Sequence, residues 1–361
     1  MSDRTDCFTS ITIDGTRLKR EQAIDRFEVL TDPRSEDQVW AASIVKTLRD
    51  LGHEAGLHAP TSGTTGPPKQ FIIPRADLVA SAELTAHTFD LDRGDRVLHC
   101  LPGDFIAGKM MLVRGFVLGL DLHVIDPRGS VLEHLRTEDR FRFAAMVPLQ
   151  LHRALKEDRA RVEAQFETIL LGGGPVSEAL IHEAQGLRTK VYIGYGSTEM
   201  VTHVALRALN GTDRSDVFTA LGDVQFGRDS RGCLAVYTPH LSVPQHITND
   251  FAELIGDTRF RWLGRYDNVI LSGGKKIFPE QLEAKTTGVI PYAHYFTATP
   301  DDVLGQAVLL VLECPKSEDE VMTEVMPLLI GMFHPHELPR RVRTVPAFQR
   351  TSGGKVIRTR P

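Results

Sequence analysis

The segment VYIGYGSTE, residues 191–199, decides the fold. Val191, Tyr192 and Ile193 are the residues of a buried strand, and the chain then breaks at glycines into a loop that carries Ser197, Thr198 and Glu199. Upstream, TILL at 168–171 runs into Gly172-Gly173-Gly174-Pro175, and further apolar runs recur at 96–101, 122–125 and 143–147. Helix-like stretches separate them. The stretch 75–89 places Leu78, Val79, Ala82 and Ala86 on one face, and 177–185 opens with Ser177 as an N-cap. This alternation predicts parallel strands covered by helices, and loops at the carboxyl ends of such strands are where α/β sheets bind ligands.

After Gly196 the texture changes. Short strand-like pieces at 233–237, 245–248, 251–254 and 259–263, separated by Gly, Pro, Asn and Asp, predict a small antiparallel sheet or barrel. From Gly264 onward the sequence reads as a separate α+β domain, with a glycine-rich loop, a helix from 279 to about 285, a strand pair across 295–313, a helix near 318–332 and a Gly-Lys tail. No internal repeat or low-complexity tract interrupts the 361 residues.

With 42 Lys and Arg against 47 Asp and Glu the formal charge is −5, too acidic for a general binder of nucleic-acid backbones. Four cysteines, Cys7, Cys100, Cys233 and Cys314, show no zinc spacing and read as reduced thiols. The charged N-terminus lacks the apolar core of a signal peptide, and the apolar stretch at 110–122 is interrupted by Arg114 and Asp121. A cytoplasmic protein with no membrane insertion is expected.

Six loops carry the candidate chemistry. Thr61-Ser62-Gly63-Thr64-Thr65-Gly66-Pro67-Pro68-Lys69 combines hydroxyls, glycines and one cation, which suits a polyphosphate, although the same residue types build ordinary surface turns. It lacks the Gly-Lys-Ser/Thr order of a Walker A loop. Glu199, at a strand end, suits Mg²⁺ or simply solvent. Gly172 to Gly174 allow close approach of a flat ligand, or merely a turn. Asn249-Asp250 could accept ribose hydroxyls or finish a hairpin. GRYDNVI at 264–270 leads into Ser272-Gly273-Gly274-Lys275, and Thr351-Ser352-Gly353-Gly354-Lys355 places a lysine on a glycine loop near the C-terminus.

Singly ambiguous, these motifs in this order resemble the adenylate-forming superfamily of acyl-CoA synthetases, adenylation domains and luciferases, from about Pro60 to Arg358. Within it the chain looks most like the short-form o-succinylbenzoate–CoA ligases of menaquinone biosynthesis. The stretches LPGDFIAGKMM (101–111), AMVPLQ (145–150), TEMVTHVALR (198–207) and WLGRYDNVI (262–270) carry that likeness. Only about sixty residues precede the phosphate loop, so the N-terminal part is expected to be shortened.

The resemblance implies a large N-terminal domain at 1–263 with layered parallel sheets and a small antiparallel subdomain, a hinge at 264–267 centred on Asp267, and a mobile α+β domain at 268–361. It implies that residues 61–69 cradle the phosphates of ATP and that Glu199 holds Mg²⁺. Thr198 would reach the α-phosphate, while Gly172, Gly173, Gly174, Pro175, Tyr195 and Gly196 would border the nucleotide. Asp250 and Arg265 would hold the ribose, Lys355 would bridge carboxylate and α-phosphate, and Ser272, Gly273 and Gly274 would pass the pantetheine arm of CoA. The substrate would be a small carboxylic acid. For the second carboxylate of o-succinylbenzoate the candidate donors are Lys109, Arg114, His203 and Arg207, with Phe105 beside the acyl tunnel. Another aryl- or fatty-acid–CoA ligase, a stand-alone adenylation module loading a carrier protein, and a non-catalytic nucleotide binder are the competing readings.

Overall fold

A computed structural model describes residues 4–31, 39–60, 70–350 and 356–358. The chain divides into two compact units, the first made of residues 1–175, 183–225 and 236–246 and the second of 176–182, 226–235 and 247–361.

The first unit opens with a hairpin, β1 (Ser10–Ile13) and β2 (Thr16–Lys19), followed by α1 (Arg20–Glu28) and α2 (Val39–Asp50). Asp14 and Gly15, both at positive φ (50° and 72°), form the two-residue turn whose twist suits a hairpin. A second hairpin pairs β3 (Leu57–Pro60) with β4 (Gln70–Ile73), and the phosphate-loop sequence 61–69 lies outside the described residues. Then follow α3 (Arg75–Phe89), β5 (Arg96–His99), α4 (Ile106–Leu118), β6 (Asp121–Val124), β7 (Phe141–Met146), α5 (Pro148–Gln165), β8 (Phe166–Leu171), α6 (Glu178–Ala184), β9 (Lys190–Gly196), β10 (His203–Ala208) and β11 (Val217–Ala220). Strands β6, β5, β7, β8 and β9 lie side by side and parallel, with β1 parallel to β6 and β10 antiparallel to β9. The expected parallel α/β sheet is therefore present. The chain passes from β5 to β6 on one side and returns to β7 on the other, so the sheet reverses direction between β5 and β7.

Helix α4 is buried on every face from Gly108 to Phe116, as its nearly continuous apolar sequence requires. It packs with α3 and the sheet through Met110, Leu112, Leu78, Ala82, Val97 and Phe143. Its first turn lies so close to the preceding loop that a Cβ on Gly108 would stand 2.1 Å from the Pro102 carbonyl oxygen.

The second unit holds most of β12 (Gln225–Arg228), β13 (Cys233–Tyr237), β14 (Gln245–Leu254) and all of β15 (Arg259–Arg265), then β16 (Ile270–Ser272), β17 (Lys275–Ile277), α7 (Pro279–Thr286), β18 (Ala293–Asp301), β19 (Gly305–Glu313), α8 (Glu318–Leu329) and β20 (Arg341–Val345). The two strand pieces expected at 245–248 and 251–254 are one strand. Asn249-Asp250 does not end it, because Asp250 pairs with Arg265 across β14 and β15 and the irregularity is absorbed by a register shift between Phe251 and Ala252. Gly273 and Gly274, at φ 56° and 77°, form the tight turn between β16 and β17. Helices α7 and α8 cover β18 and β19 through Leu282, Val321, Val325, Phe296 and Leu310. Among the described residues no helix is long and apolar enough to cross a membrane.

Gly108→Ala is expected to cost about 1–3 kcal/mol, because backbone atoms on both sides of the contact must move. A denaturant midpoint unchanged from the parent protein would contradict this packing of α4.

Candidate active site

In the first unit the carboxyl ends of β8 and β9 carry the two glycine loops. Gly172 continues the ladder by donating to the Met146 carbonyl (3.1 Å), and a Cβ there would meet nothing within 4 Å, so the space above it is open to a flat ligand. A Cβ on Gly196 would stand 1.9 Å from the Thr202 carbonyl oxygen, so the sharp return from β9 into β10 requires glycine. Within that return Met200 donates to the Ser197 carbonyl and Val201 to that of Thr198. Val201 holds φ 64°, a costly conformation for a β-branched residue. Glu199 faces solvent, and Tyr195 packs against Phe218.

The acyl-side candidates separate into different environments. Phe105 caps α4 at 42% exposure. Lys109 is buried and turns to α2, donating to Thr47 Oγ1 (3.2 Å), and burial lowers its pKa although Asp50 and Asp104 oppose this. Arg207 lies 5.3 Å from the Phe218 ring centroid. Arg114, five residues beyond Lys109 and so turned well away from it on the helix, is 1% exposed. Its Nε donates to Thr85 Oγ1 (3.2 Å), Nη2 to Thr202 Oγ1 (3.4 Å) and Nη1 to Met111 Sδ (3.4 Å). Among the described residues no carboxylate pairs with it, and burial alone draws its pKa down to about 10. It remains a cation at neutral pH.

His203 stands next to this cation. Burial, then repulsion by Arg114, pushes its imidazole down to about 3, so His203 is neutral and cannot serve as the cationic anchor expected of it. Its Nδ1 lies 3.3 Å from Thr202 Oγ1. Since Thr202 Oγ1 already accepts from Arg114, its proton is best placed on His203 Nδ1, which assigns the ring proton to Nε2. That Nε2 is buried and meets no partner among the described residues. A guanidinium without an acid and an N–H without an acceptor thus share one buried patch, a combination that favours an anion. Thr85 and Thr202 escaped the sequence reading, since a threonine within a helix or loop carries no motif.

The second unit gathers the remaining described candidates. Arg265 reaches Asp250 through Nη1 and Asp267 through Nη2, both at 3.3 Å, while Asn249 Nδ2 donates to Asp267 Oδ2 (3.2 Å). Ser272 is buried beside the Gly273-Gly274 turn. Lys355 lies outside the described residues, as do Thr61 to Lys69.

This arrangement of glycine loops, strand-end carboxylate and paired Asp250–Arg265 defines a nucleotide-binding enzyme class. The AMP-binding enzyme family matches residues 54–223. An acyl-CoA synthetase (AMP-forming)/AMP-acid ligase II-like protein from Dyadobacter fermentans is 35% identical, covering 91% of this chain and 95% of that one, with a TM-score of 0.59. A long-chain-fatty-acid–CoA ligase of Mycobacterium tuberculosis is 24% identical over 93% of this chain and 75% of its own length. A probable 2-succinylbenzoate–CoA ligase of the same species is 27% identical over 88% and 87%. The chain belongs to the adenylate-forming, AMP-binding enzyme family.

Two buried neutral histidines set an acid limit on the fold. His99 and His203 have folded pKa values of about 4 and about 3, while the unfolded chain takes up their protons near 6.5. The unfolded state therefore binds more protons below pH 6.5, and each histidine removes about 1.4 kcal/mol of stability per pH unit from there down to its folded value. Urea titrations from pH 7 to 5 should show this slope reduced by one proton in His203→Asn; an unchanged slope would contradict the burial of a neutral imidazole.

Proposed function

We propose that this protein is an AMP-forming acid–CoA ligase whose acid carries a second carboxylate, with o-succinylbenzoate as the substrate. The observation that carries the reading is Arg114, a buried cation with no acid among the described residues, beside the unsatisfied His203 Nε2. Leaving a guanidinium so placed costs free energy that a bound carboxylate would recover. An alkyl tail would not, which favours this reading over the fatty-acid ligase that is also among the relatives.

In the first half-reaction a carboxylate oxygen of the acid attacks the α-phosphorus of ATP and pyrophosphate leaves. Two anions meet in this step, so cations near both lower the barrier, and Lys355 and Lys69 are assigned to that task. Residues 61–69 would receive the β- and γ-phosphates, Thr198 the α-phosphate, and Asp250 with Arg265 the ribose. Gly172 to Pro175 and Tyr195 would border the adenine. Mg²⁺ suits the exposed carboxylate of Glu199, and its charge would offset that of the phosphates. Arg114 and His203 Nε2–H would hold the carboxylate that does not react, with Phe105 at the entrance. In the second half-reaction the CoA thiol, as its thiolate, attacks the acyl carbon, the acyl–oxygen bond breaks and AMP leaves. The turn at Gly273-Gly274 would give the pantetheine arm room, and Asp267 would be the turning point between domains at 1–263 and 268–361.

Pyrophosphate and AMP release, measured with MgATP and CoA across o-succinylbenzoate, benzoate and medium-chain fatty acids, should be fastest with o-succinylbenzoate. Arg114→Met should raise the KM for that acid roughly 10- to 100-fold, as expected for a lost charged hydrogen bond, and leave benzoate kinetics and thermal stability near the parent values. Equal losses with both acids would defeat Arg114 as the anchor. Asp267→Pro should spare adenylate formation more than thioester formation, and an equal fall in both would remove Asp267 as the hinge.

A further inference from the structure

Beyond the residues given roles above, the second unit contains a partly buried ion pair that closes a long sequence gap. Arg358 Nη2 donates to Glu283 Oε2 on α7 (2.6 Å), with the two side chains only 24% and 20% exposed. Arg358 Nη1 also donates to the Phe296 carbonyl (3.4 Å), and its guanidinium lies 5.8 Å from the Tyr295 ring centroid. The other oxygen of Glu283 accepts the Phe296 N–H (3.0 Å). Glu283 therefore joins the tail to α7 and β18 together. Burial nevertheless keeps its carboxyl up at about 7. A pair in this setting adds little net stability and is better suited to fixing a geometry.

The neighbouring contacts fix the same geometry. Val356 packs on Tyr295, Leu309 and Val311, and Ile357 donates to the Gln349 carbonyl (2.8 Å). Arg350 and Val356 form an antiparallel bridge. Phe348 and Arg350 both donate to Glu313 Oε2, each at 3.1 Å. Two glutamates thus hold the chain on either side of residues 351–355, Glu313 before them and Glu283 after them. Lys355 is bonded directly to Val356.

We propose that the Glu283–Arg358 pair is the clamp that presents Lys355 for adenylate formation, making both members positioning residues. The proposal rests on the reading of Lys355 given above. A lysine that must meet two anions within about an ångström gains from a tail whose two ends are tied, because small misplacements of a reacting group cost up to about 100-fold in rate.

The test separates the two half-reactions. Adenylate formation is followed by pyrophosphate release in a single turnover with o-succinylbenzoate and MgATP, and thioester formation by mixing supplied acyl-adenylate with CoA. Arg358→Ala should slow the first by about 10- to 100-fold and change the second by less than about twofold. Arg358→Lys should recover part of the loss. In a Lys355→Ala background Arg358→Ala should add nothing, since it acts through that lysine. Equal losses in both half-reactions, or a further loss on top of Lys355→Ala, would overturn the clamp. If Lys355→Ala leaves adenylate formation intact while Arg358→Ala slows it, the Lys355 reading falls and the clamp as stated falls with it. Glu283→Gln, which keeps the packing and removes the charge, should show the same bias in the event that Arg358→Ala folds poorly.

Discussion

A guanidinium inside an apolar helix is the constraint around which the first unit is arranged. Arg114 sits where α4 is buried on all sides, and its charge cannot be relieved by deprotonation at neutral pH. The surroundings answer with hydroxyls rather than acids: Thr85 from α3 and Thr202 from the return into β10 each accept one of its N–H groups. Those bonds satisfy geometry without neutralising charge. The same field keeps His203 neutral and leaves its ring proton pointing outward, so one uncompensated charge organises an α3 threonine, a loop threonine and a β10 histidine into one recognition surface.

Much of this architecture was legible in the chain. Helix α3 has the bounds its apolar face dictates, and the five central strands stand where β-branched runs end in glycine. Where the reading failed, local preferences were outvoted. Asn249 and Asp250 are turn formers, but their side chains are engaged by Asp267 and Arg265, and β14 continues through them with a register shift. The hairpin at Asp14-Gly15 had a clear two-residue signal and was passed over because attention fell on the charges around it.

The site divided along the same line. Motifs that bring glycine to a strand end can be read from order and spacing, because the backbone itself does the work there. Arg114 could be nominated as a charge in an apolar run. Nothing in its spacing told it apart from Lys109, and only the structure shows that Lys109 turns to Thr47 while Arg114 turns to Thr85 and Thr202. Thr85 and Thr202 are 117 residues apart, and a contact of that separation leaves no local trace.

The return from β9 to β10 has a consequence for acid selectivity. It runs from Gly196, with no room for a Cβ, through Val201 at a strained φ, to His203, and each feature removes freedom from the backbone. Glu199 and His203 are four positions apart on this stiff segment. In the proposed reaction these residues serve opposite ends of one dicarboxylic acid, so the segment acts as a gauge of the distance between its two carboxylates. Inserting a residue into this return would then change the length of acid that is accepted while leaving the nucleotide contacts of the neighbouring strand ends untouched.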